Sequence, residues 1–307
     1  MWFSNLQLYR LTKPFDYSPE GLSEALQEHA FRPCGSLDLS TFGWVAPLGQ
    51  YGEALTHAAN GCIMVCARKE EKILPATVVR EFVADKVRAI EESQSRPVRR
   101  KERDEIKDEV IHELLPKAFS RSRLTFAYIA PQEKLIVVNA TSAARAEELL
   151  SHLRGSLGSL GAVPISPRQA PTNVMTHWLV EHDVPAGFQL GDECELREKG
   201  DDGGIIRCKR QDLFSDEIRV HLDAGKLVTK LAIEWQEQLS CILGDDLSIK
   251  RLRFGEELLE QSKEADMEDP VAAFDNDFTL MTLELSKFIP RLLELFGGEN
   301  EVVGFGD

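Results

Sequence analysis

The sequence predicts an α+β fold in which mixed antiparallel sheets carry a projecting helical hairpin. Several short segments alternate apolar and polar residues with period two, as half-buried strands do. Two neighbouring segments between residues 75 and 119 repeat with helical spacing instead. Because these runs of helices and hairpins follow no regular βαβ alternation, a parallel α/β fold is disfavoured.

The N-terminal elements are a strand over residues 6–11 and a helix that begins at Pro19. Ser18 before Pro19 is typical of a helix N-terminus, since serine caps and proline fits the first turn. Residues 62–66 are apolar at every position, which indicates a strand buried on both faces.

Two helices around a polar turn at residues 91–97 form the predicted hairpin, and Pro116 ends the second helix. Their inner sides are marked by Val79, Val83, Val87, Ile90, Ile106, Val110 and Leu114. This apolar stripe is narrow, so the hairpin cannot bury a large core of its own.

Strands are predicted again over residues 124–129 and 135–138, around a turn at residues 131–134. A helix follows and runs from residues 141–142 to about Leu153. These elements complete the N-terminal part of the fold.

The C-terminal part mixes strands and short helices. A turn at residues 201–204 separates two strands, and Ser215 begins a short helix. Residues 227–243 alternate like one long strand, and a turn at residues 244–246 leads into a strand over residues 249–254.

A closing helix from about Phe274 to Phe296, stopped by Gly297, completes the chain. The sequence therefore predicts three parts. They are an N-terminal α+β core of residues 1–74 with 124–170, a helical hairpin insertion of residues 75–123, and a C-terminal α+β domain of residues 171–307.

The composition is that of an ordinary globular protein with an acidic balance. The 36 Lys and Arg residues against 51 Asp and Glu give a net charge of −15. This excludes a uniformly basic, histone-like binder but leaves room for a local basic patch. With six scattered cysteines and no pattern of a signal peptide or membrane span, we expect a cytoplasmic protein with reduced thiols and no membrane partner.

No sequence pattern is typical of catalysis or cofactor binding, so we expect neither an enzyme nor a cofactor. Phosphate-binding and dinucleotide-binding glycine motifs are absent. Cys62 and Cys66 lack a second pair at zinc-ribbon spacing, and core burial is their favoured role. Asp245 and Asp246 are adjacent in a glycine turn, whereas the acids of a metal-dependent nuclease converge from separate elements.

Basic residues cluster against the acidic background. Arg100, Arg103 and Lys107 are three and four positions apart, so they line one side of the second hairpin helix, with the neighbouring acids largely on the other. Lys117 and Arg121 extend this region. Further clusters follow the two C-terminal turns, at Arg207, Lys209, Arg210 and Gln211 and at Lys250, Arg251 and Arg253. Such clusters are either solvated faces with local ion pairs or contacts to nucleic-acid phosphates that read no sequence.

Phe119 stands in a polar, basic stretch directly after the helix-ending proline. An aromatic side chain there either folds back into the core or inserts into a partner. The sequence leaves both alternatives open.

Several long blocks of the chain resemble the recombination-associated protein RdgC family of bacteria, and the resemblance spans nearly the whole chain. The blocks are Trp2–Phe3, Phe31–Ser36, Gly43–Val45, Ala67–Pro75, Leu114–Arg121, Ser156–Leu160, Gly187–Leu190 and Lys226–Leu231.

The resemblance implies a non-enzymatic, nucleoid-associated protein that forms a ring-shaped homodimer around duplex DNA and restrains RecA-type recombinase through its DNA. It implies that Phe119 belongs to a gate where an aromatic of one subunit enters a pocket on the other, and that residues 209–211 contact DNA. Together with the basic clusters, the expected DNA-binding residues are Arg99, Arg100, Arg103, Lys107, Lys117, Arg121, Lys209, Arg210, Gln211 and Lys226. We expect no metal site.

Two other functions stay open at this point. One is a protein-interaction module whose acidic surface inhibits the recombinase by direct contact. The other is a nuclease, for which the sequence contains no metal-binding constellation. Whether single-stranded DNA is bound as well as duplex DNA is also left open.

Overall fold

The computed structural model describes residues 1–200, 203–264 and 269–300. Within these ranges it confirms the α+β class, with eight α-helices and a large antiparallel sheet. In chain order the elements are β1 (Asn5–Leu11), α1 (Pro19–Gln27), β2 (Ser40–Val45), β3 (Thr56–Ala59), β4 (Cys62–Lys72), α2 (Ala76–Gln94), α3 (Arg100–Leu114), β5 (Ser120–Ala130), β6 (Leu135–Asn139), α4 (Ala143–Leu157), β7 (Ala162–Pro164), α5 (Pro171–Glu181), β8 (Phe188–Arg197), β9 (Ile205–Lys209), α6 (Asp216–Asp223), β10 (Leu227–Trp235), β11 (Leu239–Gly244), β12 (Ile249–Phe254), α7 (Glu256–Glu264) and α8 (Pro270–Leu295).

The chain divides into two compact units. Unit 1 consists of Met1–Leu26, Ala46–Val65 and Phe126–Asp307, and unit 2 consists of Gln27–Val45 and Cys66–Thr125. The three-part division predicted from the sequence stays a prediction.

In unit 1 the strands pair antiparallel in the order β5, β6, β1, β12, β11, β10, β8 and β9. Leu8 lies opposite Val137, and Ile233 lies opposite Cys241. Strand β7 pairs with β1, and β3 pairs with the first part of β4. Strand β9 forms the edge at this end of the order and is hydrogen-bonded to β8.

The core of unit 1 includes the sheet and helices α5 and α8. Helix α8 buries Phe278, Met281, Leu285 and Phe288, whose spacing of three and four residues places them on one helical side. The Phe288 ring lies 5.4 Å from that of Trp235, between their centroids. This apolar packing leaves the opposite face of the neighbouring strands available for polar side chains.

Helix α8 begins earlier than the predicted start at Phe274. The Asp269 side chain caps it by accepting a 2.9 Å hydrogen bond from the Val271 backbone N–H, and Pro270 occupies the first turn. Gly297 and Gly298 follow the helix with positive φ angles, as expected for a stop signal.

Unit 2 contains the helical hairpin predicted from the sequence. Helices α2 and α3 pack through the buried residues Val79, Val83, Ile106 and Val110. In the same unit β2 pairs antiparallel with the second part of β4.

The single long strand predicted over residues 227–243 is wrong, because the segment folds into the hairpin of β10 and β11. Gln236 and Glu237 adopt φ angles of 51° and 60°, and Trp235 lies opposite Leu239. No glycine or proline marks this turn, so the sequence pattern concealed it. The predicted hairpin of β8 and β9 is present, although Asp201 and Asp202 of its turn lie outside the described residues.

Candidate nucleic-acid interface

One face of the sheet in unit 1 carries acidic and basic side chains at alternating positions of β8 and β9. Side chains alternate between the two faces of a strand, so Cys194 packs in the core while Glu193 and Glu195 point the other way. In register with them, Lys209 lies opposite Glu193 and Arg207 lies opposite Glu195. The hairpin therefore places acid–base pairs on its polar face.

Glu195 is the centre of a hydrogen-bonded network on this face. Only 8% of the surface of Glu195 is exposed to solvent. Lys230 Nζ donates to its two carboxylate oxygens at 2.9 and 2.8 Å, and Arg207 Nε donates at 2.8 Å. The Thr229 hydroxyl donates at 3.1 Å. Burial opposes ionisation, but the bonds from Lys230 and Arg207 outweigh it and lower the pKa of Glu195 to about 2.

Glu193 fixes a third basic side chain. The Arg251 guanidinium forms a bidentate pair with its carboxylate, one bond measuring 3.1 Å. This hydrogen bond lowers the pKa of Glu193 and raises that of Arg251. Arg207 and Arg251 keep 66% and 54% of their side-chain surface exposed, so both remain accessible to an anion.

The paired side chains border a small opening of about 180 Å³. Four basic side chains and two carboxylates line it, which leaves a local excess of positive charge in an acidic chain. The basic members are Arg207, Lys209, Lys230 and Arg251. An anion such as a phosphate diester suits this electrostatic environment.

The loop after β9 holds two more predicted site residues. Lys209, Arg210 and Gln211 are all exposed. Arg210 has a left-handed backbone with φ of 55°, and the Gln211 N–H donates to the backbone carbonyl of Asp192 at 3.2 Å. The left-handed backbone of Arg210 therefore turns the chain out of the β8–β9 ladder directly after Lys209.

Lys226 is less available than the other predicted residues. Its side chain is 17% exposed, and its Nζ lies 3.6 Å from the Glu198 carboxylate.

In unit 2 the predicted basic residues of the hairpin all face solvent. Arg99 precedes the first turn of α3, and Arg100, Arg103 and Lys107 follow along the helix. Arg103 and Lys107 border an apolar groove of about 490 Å³, which Asp104 also borders. The separation of acids and bases on this helix is therefore incomplete.

Phe119 is 84% exposed, so its burial in the core, one of the two alternatives left by the sequence, is wrong. Its backbone carbonyl accepts a 2.7 Å hydrogen bond from the Ile73 N–H, which fixes the chain while the ring remains in solvent. Lys117 and Arg121 flank it and are also exposed, and Arg121 lies 3.4 Å from the Glu71 carboxylate.

The structure thus brings Lys209 together with three basic residues that were absent from the predicted site, Arg207, Lys230 and Arg251. The sequence does contain a signal for the two carboxylates that hold them. Glu193 and Glu195 alternate with Cys194 and Leu196 inside a strand, which places both acids on its polar face.

Two further structural findings bear on the class of protein. Among the described residues, no three or more His, Cys, Asp or Glu side chains group in a way that could hold a metal ion. None of the described helices combines the length and apolar character needed to cross a membrane.

Comparison with known proteins identifies the family. The family described as "RdgC: Putative exonuclease, RdgC" matches residues 1–299. The Recombination-associated protein RdgC of Aeromonas hydrophila is 54% identical over 303 residues, covering 99% of this chain and all of that protein. Proteins of the same name from Tolumonas auensis and Yersinia pestis are 50% and 49% identical over 299 residues, covering 97% of this chain and 99% of each relative.

The match covers the basic hairpin, the Phe119 segment and the polar sheet face described above. At this identity and coverage the family resemblance seen in the sequence blocks is confirmed. The chain belongs to the RdgC family of recombination-associated proteins.

Proposed function

We propose that this protein binds duplex DNA without reading its sequence, as a homodimer that closes a ring around the duplex. By occupying DNA it limits the loading of a RecA-type recombinase, which places it on the nucleoid in the cytoplasm. The observation that carries the proposal is the positively charged sheet face of unit 1, in a chain whose net charge is −15.

Electrostatics supports binding to the phosphate backbone. Arginine and lysine side chains that neutralise phosphates release counterions, and this gain is independent of base sequence. Arg207 and Arg251 are held at one end by carboxylates, yet more than half of each side chain is exposed. An acidic remainder of the surface would repel DNA everywhere else, which favours contact at the basic faces alone.

The exposed ring of Phe119 supports self-association. A large aromatic side chain that is 84% exposed costs free energy in water and is typical of interface anchors. Unit 2 also contains an apolar groove, lined by Leu39, Leu74, Val79, Val83 and Ile111 among others. In the proposed dimer, Phe119 of one subunit enters this groove on the other.

A salt titration tests the DNA contact. Binding to random-sequence duplex is measured between low and moderate salt for the wild type and for Lys209→Ala/Arg210→Ala. We expect the double variant to lower the affinity about equally on all sequences and to reduce the salt slope by roughly 2. A wild-type slope near zero, or an effect confined to one sequence, contradicts backbone contact.

Lys287→Ala is the matched control. Lys287 lies on α8, its side chain is 64% exposed, and it pairs with Glu284 at 3.1 Å. Its removal changes the total charge in the same direction but leaves the polar sheet face intact. We expect little change in affinity. Because Lys287→Ala removes one charge and the double variant removes two, a decrease in log affinity half as large would mean that only the net charge matters.

The effect on the recombinase is tested separately. Pull-down of RecA-type recombinase is performed with and without nuclease treatment. If the proposal is correct, association is lost when DNA is digested. Association that survives digestion supports instead an interaction module that contacts the recombinase directly.

The description of the matching family as an exonuclease favours a second candidate function. Labelled linear duplex incubated with magnesium or manganese distinguishes the two functions. We expect the DNA to remain intact. An activity that shortens the duplex from its ends and copurifies with the protein would establish an exonuclease.

A further inference from the structure

Two cysteines stand directly opposite each other across the β8–β9 hairpin. Cys194 pairs in register with Cys208, and both thiols are free. Directly opposed residues of an antiparallel pair have Cα atoms about 4.5–5.5 Å apart. This range falls within the roughly 4.4–6.8 Å that a disulfide spans. The two thiols also affect each other's ionisation, since Cys208 contributes to the raised pKa of Cys194.

The other two cysteines that are close in the sequence do not lie opposite each other. Cys62 and Cys66 are four residues apart in β4, which separates their Cα atoms by about 13 Å in a strand. A disulfide cannot bridge Cα atoms more than about 7 Å apart. Cys241 lies opposite Ile233 rather than a cysteine.

The two opposed thiols differ in access. Cys194 is 5% exposed and packs in the core of unit 1, and burial, followed by the contact with Cys208, raises its pKa to about 12. Cys208 is only partly buried, on the edge strand β9. Edge strands open locally more readily than central ones, because they are paired on one side. Cys208 is therefore the thiol that an oxidant reaches first.

We propose that Cys194 and Cys208 form a reversible disulfide in response to a low-molecular-weight disulfide such as oxidised glutathione. In the first step the Cys208 sulfur attacks one glutathione sulfur, the S–S bond breaks, and reduced glutathione leaves with the proton. In the second step the Cys194 sulfur attacks Cys208, and the second reduced glutathione leaves. The two protein thiols lose two protons and two electrons, and oxidised glutathione gains both to become two molecules of reduced glutathione.

The disulfide ties the edge strand covalently to the body of the sheet. Arg207 and Lys209 flank Cys208 and point to the opposite, polar face, so the same event fixes the backbone beneath two basic residues. Amide hydrogen exchange in Ile205–Lys209 is expected to slow several-fold on oxidation. The proposal requires no DNA binding and stands independently of the proposed function.

The test uses folded full-length protein carrying Cys34→Ser, which removes the other partly buried thiol. After incubation with oxidised glutathione, remaining thiols are alkylated and the intact mass is measured. We expect two thiols to disappear with no glutathione retained, and peptide mapping to join Cys194 to Cys208. Adding Cys194→Ser should stop the reaction with one glutathione on Cys208, and adding Cys208→Ser should leave the protein unmodified.

Several results would overturn the proposal. They are thiols that all stay reduced, a disulfide that maps to another pair, or a stable glutathione adduct on Cys208 while Cys194 is present.

The pH dependence gives a second readout that does not depend on how the serine variants fold. Because the attacking Cys194 has a pKa of about 12, the closing step should accelerate about tenfold per pH unit between pH 7 and 9. A pH-independent closing rate contradicts attack by the buried thiol.

Discussion

The polar sheet face of unit 1 and the helical hairpin of unit 2 both carry exposed basic residues, but they hold them differently. On the sheet face, Lys230 and Arg207 are anchored by a carboxylate that is 8% exposed. On the hairpin, the ion pairs lie at the surface. Arg96 and Glu102, for example, are 2.6 Å apart, and neither side chain is buried. The same residue types are thus rigidly placed in one region and solvated in the other.

This difference separates two contributions that basic residues make to a binding surface. An anchored arginine has lost its rotamer freedom during folding, so less entropy is lost when an anion binds. A solvated arginine contributes mainly its long-range charge, which salt screens over about 8–10 Å at moderate ionic strength. The sheet face should therefore influence protein stability as well as binding, and the hairpin should influence binding alone.

The largest expected effect is the acid sensitivity of the Glu195 network. Folding lowers the pKa of Glu195 from 4.5 to about 2, so the carboxylate stabilises the fold fully above about pH 5. This contribution is lost as the pH falls from about 5 towards 2, and it amounts to at most about 3 kcal/mol. The check is urea unfolding, followed by tryptophan fluorescence between pH 3 and 7, of the wild type and Glu195→Gln.

The two curves should converge at low pH, because protonated glutamate and glutamine then carry the same charge. Curves that stay parallel across this range would show that folding does not lower the pKa of Glu195.

At pH 7, Glu195→Gln should lower the free energy of unfolding by about 2 kcal/mol, since Lys230 loses its carboxylate in a nearly buried site. Glu193→Gln is the matched control on the same strand. Its partner Arg251 keeps 54% of its side chain in water, so the loss should be about 0.5 kcal/mol. Equal losses for the two variants would show that burial does not distinguish the two pairs.

A smaller effect, confined to binding, is expected for the hairpin. Arg103→Ala/Lys107→Ala removes two exposed charges from α3, so the salt slope of DNA binding should fall by roughly 2. The affinity should fall about tenfold at low salt, and stability should change by less than about 0.5 kcal/mol. Fluorescence anisotropy over a salt series and thermal melting measure the two quantities. A loss of stability with unchanged DNA affinity would assign these residues to folding instead.

How much of this could be predicted from the sequence depends on the range of the interaction. The hairpin helices follow from local periodicity, because Val79, Val83, Ile106 and Val110 repeat at helical spacing and bury together. The basic side of α3 follows from the same local rule. The Glu195 network follows only in part. Arg207 lies on β9, the partner of β8 in the predicted hairpin, but Lys230 lies on β10, and the chain order does not show that β10 pairs with the other side of β8.

The turn at Gln236–Glu237 shows a related limit. The pairing of β10 with β11 stabilises the left-handed backbone of these two residues, and no glycine indicates the turn in the sequence. Local patterns therefore identified many of the helices and strands, but they missed short strands such as β3 and β7 and the register that brings charges from separate strands together. The exposure of Phe119 could be determined only from the structure, because an aromatic side chain after a helix-ending proline can be either buried or exposed to solvent.

The smallest expected effect on stability is that of Phe119→Ala, and here the absence of an effect is informative. Since the side chain is 84% exposed, its truncation removes few contacts within the chain and should change the unfolding free energy by less than about 0.5 kcal/mol. If the ring enters a groove on a second subunit, analytical ultracentrifugation should show dissociation to monomer at concentrations where the wild type is dimeric. Phe119→Leu should retain part of the association. Tyr51→Ala, which truncates an exposed aromatic side chain in unit 1, should retain all of it. A large fall in melting temperature with an intact dimer would instead place Phe119 in the fold, and the contrast between an anchored sheet face and a hairpin unit specialised for contacts would fail.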